Sequence, residues 1–347
     1  MPRGVFRARG RGPQVGRLCF PMHEPLAIPE ILNDVARAGT AGLALEGNPA
    51  RAEALDLCRR HGFSLIIDRG RAFLLYDDDS LVPAWIEQET PAVEWNELAV
   101  HGFLEIGSTN DKALKLARGG APQGTLVCSE RQTAGRGRRG RSWSSPQGAG
   151  IYSTLIVRPG CPSRFWPLFT HAASVALIEA LKDVLGEACA ARAGLDLKWP
   201  NDVLLSGKKV AGILLETASA GGQAGAAVVG VGINVGPASV PEDLRERATS
   251  VSEVAGVLVP RRLLLVRFLA HFQPCFGLVE RGERPELLRR WMDRSSMWSG
   301  VPVWIGDGNR RRPAVTCGIT ELGSLRVLNE DGVEEELLAG DVSVRRE

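Results

Sequence analysis

The sequence predicts an α+β protein built from a winged-helix-like N-terminal unit, a central unit around a mixed sheet, and a C-terminal small β-barrel. Three observations predict it. Between residues 98 and 295, strand and helix patterns mix without a strict strand–helix–strand rhythm, which favours α+β over a doubly wound sheet. Residues 28–76 read as helix, helix, hairpin. Residues 298–347 break into short strands between glycine turns, the spacing of a small barrel. A chain of 347 residues has room for two or three domains.

Composition excludes several classes of function. The chain is 44% hydrophobic and 24% charged, an ordinary globular balance that excludes wholesale disorder. A formal charge of +2, from 42 basic and 40 acidic residues, argues against a surface coated for nucleic acid. The seven Cys are odd in number and contain no C-x-x-C. A disulfide framework or zinc ribbon is therefore not expected, and a reducing, cytoplasmic setting is. The five His show no H-x-x-x-H spacing, so no metalloprotease-type site is expected. No run reaches the ~18 apolar residues of a membrane helix, and no membrane partner is expected.

Taken in order, residues 1–22 carry five Arg and no acid before Phe20. Gly and Pro are interleaved and no apolar run comes after them, so a disordered basic tail is expected rather than a secretory signal. Residues 23–90 form the first unit. Ile28–Arg37 and Ala50–His61 read as helices, with Asn48 as N-cap, Pro49 at the first helical position and Gly62 as terminator. Ser64–Ile67 and Arg71–Tyr76 alternate as strands around the turn Asp68-Arg69-Gly70. Asp77-Asp78-Asp79 and Pro83 mark the exit, and Pro91 the linker. A DNA-reading unit needs another helix before the recognition helix, and the segment between Arg37 and Asn48 is short and glycine-containing. Glu53 and Asp56 stand beside Arg51, Arg59 and Arg60, a weak phosphate-binding face. The unit therefore reads as a degenerate winged helix.

In the central unit, Ser108-Thr109-Asn110 precedes a helix over Asp111–Arg118. Gly124–Glu130, Gly150–Arg158 and Ala226–Val235 read as buried strands. Phe169–Leu185 places apolar residues at 175, 178, 181 and 185 on one helix face. Val203–Leu205 and Val210–Leu215 form a hairpin bent at Ser206-Gly207. Leu263–Glu280 and Pro285–Arg294 are further helices. Five short strands come last, at Val301–Ile305, Ala314–Thr320, Leu325–Asn329, Glu334–Leu338 and Val342–Arg345.

Three segments carry chemistry. Gln132-Thr133-Ala134-Gly135-Arg136-Gly137-Arg138-Arg139-Gly140-Arg141 satisfies G-x-G-x-x-G. A dinucleotide fold would need a helix next and an acid about 20 residues on. Ser142-Trp143-Ser144-Ser145-Pro146 stands there instead, and residues 155–160 hold no acid. The segment is then a mobile loop whose Gly expose N–H groups and whose Arg offer planar donors. It suits an anionic ligand, a solvated basic loop or a nucleic-acid patch. Lys198-Trp199-Pro200-Asn201-Asp202, with Lys208-Lys209-Val210-Ala211-Gly212, combines phosphate-neutralising Lys with oxygens suited to a divalent cation. It also reads as a polar hairpin with a surface Lys pair. No P-loop is present. Gly230-Val231-Gly232-Ile233-Asn234 puts two Gly into a Val-rich strand, leaving either a flat floor for a ring or chain or a simple bulge.

In this order the runs S-T-N, Q-x-A-G-R-G-R-R-G-R-x-W, K-W-P-N-D, K-x-A-G-I-L-x-E and G-x-G-I-N resemble the biotin–protein ligases, strongly over 103–235. The resemblance implies a class II synthetase-like catalytic domain over 98–295, an SH3-like domain over 298–347, and a two-step reaction. Biotin is activated by ATP, with Mg²⁺, to biotinyl-5′-AMP. The acyl group then passes to a lysine of a biotin carboxyl carrier domain. Lipoate–protein ligases share the fold without, it is expected, the Arg loop. Family members with a winged helix also repress biotin genes as DNA-binding proteins, and members often form homodimers.

The resemblance implies a role for each matching position. Ser108, Thr109 and Asn110 begin the biotin pocket, and Gln132 contacts biotin. Gly135, Arg136, Gly137 and Arg138 belong to the loop over biotin and the adenylate, with Arg138 retaining the intermediate. Trp143 covers the adenine side. Lys209 meets the biotin carboxylate and reacting phosphate, and Lys198 adds a second charge. Asn201 and Asp202 organise Mg²⁺ and the acceptor lysine. Gly212 and Leu214 line the site, and Gly230, Gly232 and Asn234 form its floor and nucleotide edge.

Overall fold

The computed structural model describes residues 25–45, 49–75, 79–90, 98–220, 223–306, 311–338 and 344–346. The basic tail, the Asn48 cap, Asp77-Asp78, Pro91, residues 307–308 of one turn and the start of the last strand lie outside the described residues.

The N-terminal unit runs β1 (Leu26–Ala27), α1 (Glu30–Ala38), β2 (Leu43–Ala44), α2 (Pro49–Arg60), β3 (Leu65–Asp68), β4 (Arg71–Leu74) and α3 (Pro83–Glu89). The expected helices and hairpin are present, and β2, β4 and β3 form a small antiparallel sheet. Among the described residues between α1 and α2, the only other helical piece is a three-residue turn, Gly39–Ala41. Pro83 does not end the unit. It starts α3 at a first-turn position, where its missing N–H costs nothing.

The unit is joined to the central one by a strand pair and by buried charge. Strand β1 pairs with the first central strand at Phe103 and Glu105. Arg262 reaches Glu89 at 3.2 Å and lies 4.2 Å above the Trp85 ring. Arg261, 5% exposed, donates to Asp79 at 2.9 Å and to Glu130, 3% exposed, at 2.8 Å. The other Glu130 oxygen accepts the Leu81 N–H at 2.8 Å. Burial opposes the Arg261 charge, but Glu130 and Asp79 outweigh it and raise the guanidinium pKa.

The central unit contains β5 (Ala99–Glu105), α4 (Thr109–Arg118), β6 (Thr125–Ser129), β7 (Gly150–Val157), α5 (Leu168–Leu185) and α6 (Glu187–Ala193). It continues with β8 (Asp196–Lys198), β9 (Asp202–Leu205), β10 (Lys208–Ala220), β11 (Gln223–Asn234), α7 (Val251–Ala255), α8 (Arg261–Glu280) and α9 (Arg284–Met292). The sheet order is β1-β5-β6-β7-β11-β10-β9-β8. The β5–β6 pair is parallel and the other pairs antiparallel, so the sheet is mixed.

Strand alternation assigns two faces. Ala227, Val229, Val231 and Ile233 of β11 join Ile213 of β10 and Leu155 of β7 in the core against α5 and α8. Val228, Ala218 and Ile156 belong to a second cluster with Ala113, Leu114 and Ala117 of α4. Gly230, Gly232, Gly212, Leu214 and Thr154 share the parity of that second face. By length and composition α8 could cross a membrane, but 67% of its apolar window is buried inside the fold.

The last unit is an antiparallel sheet of β12 (Ser299–Ile305), β13 (Arg312–Ile319), β14 (Leu325–Leu328), β15 (Glu334–Leu337) and β16 (Val344–Arg346), in the order β15-β14-β13-β12-β16. Val303, Ile305, Leu325 and Val327 join the main core. The buried Trp199 indole donates to the Gly323 carbonyl at 3.0 Å, fastening the sheet to the K-W-P-N-D turn.

Candidate active site

A cleft of about 590 Å³ opens on the α4 face of the sheet. Its floor is β7, β11 and β10, one wall is the start of α4, and its roof is the loop 132–143. Ser108 caps α4, its Oγ accepting the Asp111 N–H at 3.4 Å. The cap leaves the first turn of α4 facing the cleft.

The inner end is a hydrogen-bonded network of uncharged side chains, anchored at its edge by the Glu216 carboxylate. Gln132 Oε1 accepts from the Thr109 N–H at 2.8 Å and its hydroxyl at 3.1 Å. Gln132 Nε2 donates to Ser145 Oγ at 3.0 Å. Thr154 donates to Asn110 Oδ1 at 2.7 Å, and Asn110 Nδ2 donates to Glu216 at 2.8 Å.

The two floor glycines are required by close approach. A Cβ on Gly230 would stand 2.0 Å from Asn110 Oδ1. One on Gly232 would stand 2.6 Å from the Trp143 ring. The Gly230→Ala variant is therefore expected to displace Asn110 and raise the KM for the pocket's ligand by about tenfold or more, the loss of one hydrogen-bonded group. Steady-state kinetics against wild type check this; an unchanged KM overturns it.

The outer end is charged. Lys209 Nζ lies 2.6 Å from Asp202 Oδ1 and 5.2 Å from the Trp143 ring centroid. Arg138 donates to Asn201 Oδ1 at 2.9 Å, and burial lowers its pKa against the opposing pull of Asp202. Lys198 closes β8 in register with Asp202 and lines the cleft. Arg138 Nη2 and the Trp143 indole N–H are buried without a hydrogen-bond partner among the described residues. Such donors suit a ligand rich in acceptor oxygens and ring nitrogens. Asn201 and Asp202 supply one amide and one carboxylate, and each already faces a cation of the chain. No group of three or more His, Cys, Asp or Glu among the described residues could hold a metal.

Thus Ser108, Thr109, Asn110, Gln132, Arg136, Gly137, Arg138, Trp143, Lys198, Asn201, Asp202, Lys209, Gly212, Leu214, Gly230 and Gly232 line one cleft. Gly135 and Asn234 fall outside the lining. Gly135 packs inside the loop itself, where a Cβ would meet the Trp143 carbonyl at 2.5 Å. The Asn234 amide is turned to the Thr249 carbonyl at 3.2 Å, holding the 235–249 segment. Sequence reading missed Thr154 and Glu216, although their strand parity matches that of Gly230 and Gly232. It also missed Leu244, Glu246 and Arg247 at the rim. The Arg247 carbonyl accepts the Lys209 N–H at 2.8 Å, a long-range pairing with no local signal.

Fold and cleft together define a class: residues 105–234 match the model of the Biotin/lipoate A/B protein ligase family. The chain is 32% identical to the bifunctional ligase/repressor BirA of Bacillus subtilis, over 80% of this chain and 78% of that protein. It is 43% identical to a biotin–[acetyl-CoA-carboxylase] ligase of Paracoccus denitrificans, over 63% of this chain and 89% of that one. The biotin protein ligase of Aquifex aeolicus, solved with biotin and ATP, superposes with a TM-score of 0.59 at 28% identity, covering 72% of this chain and 99% of that one. The chain belongs to the biotin–protein ligase family.

Proposed function

We propose that this protein is an ATP-dependent biotin–protein ligase. One observation carries the reading: a neutral hydrogen-bonding pocket around Gln132 opens directly onto the cationic end formed by Arg138 and Lys209. A neutral head group with a carboxylate tail fits that polarity, and the carboxylate meets the phosphate of ATP between the cations.

In the first step a biotin carboxylate oxygen bonds to the α-phosphorus. The bond to the bridging oxygen breaks and pyrophosphate leaves. Lys209 and Arg138 offset the repulsion between the two anions, with Lys198 as a further charge. In the second step a carrier-domain lysine amine attacks the acyl carbon, AMP leaves, and the amine nitrogen gives up a proton. Ser108, Thr109, Asn110 and Gln132 hold biotin; Trp143 and Gly232 form the adenine side; Leu214 and Gly212 fill the space between. The loop excludes water from the hydrolysable mixed anhydride. Mg²⁺ would enter with the ATP phosphates, held chiefly by them and water with Asp202 alongside, and would mask the leaving pyrophosphate.

We assign this chemistry to residues 98–295, with 23–90 a degenerate winged-helix-like unit and 298–347 an SH3-like domain. A cytoplasmic setting is part of the reading, in keeping with seven Cys that contain no C-x-x-C pair.

Pyrophosphate release from ATP tests the proposal without any carrier. Biotin-dependent release is expected. Release with lipoate alone would move the substrate, and none with either acid would overturn the ligase reading.

A second reading adds biotinyl-AMP-responsive repression, favoured by the likeness to the bifunctional ligase/repressor. Against it, the α2 arginines are engaged within the unit: Arg60 with Asp56, Arg59 with the Leu65 carbonyl, and Arg51 with the Ala44 carbonyl. Adenylate-dependent, salt-sensitive binding to a specific duplex would establish it. Dimerisation through the central sheet would belong to that reading.

A further inference from the structure

The loop over the cleft is tied down at its base by backbone and near its tip by charge. The Thr133 and Ala134 N–H groups donate to the Ile106 and Gly107 carbonyls at 2.9 and 2.8 Å. Further out, Arg136 Nη2 lies 2.7 Å from Asp111 Oδ1 and 2.7 Å from Glu216 Oε2. Asp111 stands on the α4 wall and Glu216 on the opposite strand, β10. Arg136 therefore bridges the cleft mouth from wall to floor.

Two carboxylates on one guanidinium leave a net negative cluster. Such a cluster does not serve to neutralise a phosphate, whereas Arg138, two residues on, keeps a buried donor without a partner. The loop arginines differ: Arg138 keeps a buried donor in the cleft, and Arg136 is held by two carboxylates of the protein. Glu216 has a second task, because the oxygen that holds Arg136 also accepts from Asn110 in the inner pocket at 2.8 Å.

We propose that Asp111, Arg136 and Glu216 form a latch that holds the loop closed over the acyl-adenylate until a carrier arrives. Asp111 and Glu216 are then positioning residues for retention of the intermediate, and Glu216 also couples loop closure to the placement of Asn110. The proposal rests on the ligase reading.

The test uses the full chain with biotin and ATP labelled at the α-phosphate, without carrier. Labelled adenylate is allowed to form, excess label is removed, and escape from the protein is followed. In wild type, escape is expected to speed up about threefold between low and high salt, because half-exposed ion pairs are screened. The Asp111→Asn/Glu216→Gln double variant is expected to lose label about five- to tenfold faster at low salt and to show no further response to salt. Glu216→Gln and Glu216→Ala are expected to share a raised escape rate but differ in KM for biotin, because Gln keeps a carbonyl oxygen for Asn110 and Ala has none.

A wild-type escape rate indifferent to salt overturns the latch without reference to any variant. So does a folded double variant that retains label as wild type does. Failure of wild type to form labelled adenylate brings down the ligase reading, and the latch with it. Formation is measured before escape, so the two failures are distinct.

Discussion

Replacing Lys209 with alanine is expected to cut adenylate formation about 10²–10³-fold, the cost of removing one preorganised charge at a reacting phosphate. The ammonium sits at the charged end of the cleft, against Asp202 and above the Trp143 ring. Its loss also leaves the Asp202 carboxylate where the ligand's anions must enter, so the effect includes repulsion. The matching change, Arg138→Gly, is expected to behave differently. Arg138 lies on the roof and reaches across to Asn201, so its loss is expected to free the loop and to remove the buried donor that the proposed mechanism gives to the product of the first step. Adenylate should still form and then escape, acylating bystander amines. Biotin-dependent pyrophosphate release, then biotinylation of an unrelated protein in the same tube, reads both effects. Equal adenylate yield from the Lys209 variant would sink the assignment.

Arg261→Met is expected to cost about 3–5 kcal/mol of folding stability, the range for removing one partner of a buried ion pair. The guanidinium satisfies Glu130 and Asp79 together and also reaches the Gly150 carbonyl at 3.3 Å. Without it, the nearly inaccessible Glu130 carboxylate has no cation among the described residues. Adding Glu130→Gln to the same chain should recover part of the loss, because the amide removes the buried charge and can still accept the Leu81 N–H. Denaturant unfolding of the three proteins measures this. A single variant within about 1 kcal/mol of wild type would show that the cluster is not what joins the N-terminal unit to the centre.

Much of the site was legible because its chemistry lies in contiguous runs. The Arg loop, K-W-P-N-D and the two floor glycines are each local in sequence, and each lines the cleft. The glycines were legible for a physical reason: Gly in a Val-rich strand implies that something approaches the backbone, and Asn110 and Trp143 do. Strand and helix cores were legible for the same kind of reason, since period 2 and period 3.6 are written in the order of residues.

What failed depended on partners far away in the chain. Pro83 read as a boundary, yet it opens a helix whose Trp85 packs beneath Arg262, a residue from the far end of the central unit. The resemblance gave Asn234 to the nucleotide edge, whereas the structure turns its amide to the Thr249 carbonyl, a partner from a later segment. Glu216 was visible inside a motif without a role, because its role is to meet Arg136 and Asn110 from a different element.

By itself, then, the sequence determined the kinds of chemistry available: cationic groups and close-approach glycines, at spacings that local backbone geometry sets. Only the tertiary structure decided which of those charges keep a buried donor in the cleft and which face one another. Arg136 and Arg138 are chemically alike and two residues apart. One is bound by two carboxylates brought from separate elements and the other is left with a donor to offer, a distinction that arises only when the sheet and α4 close around the loop.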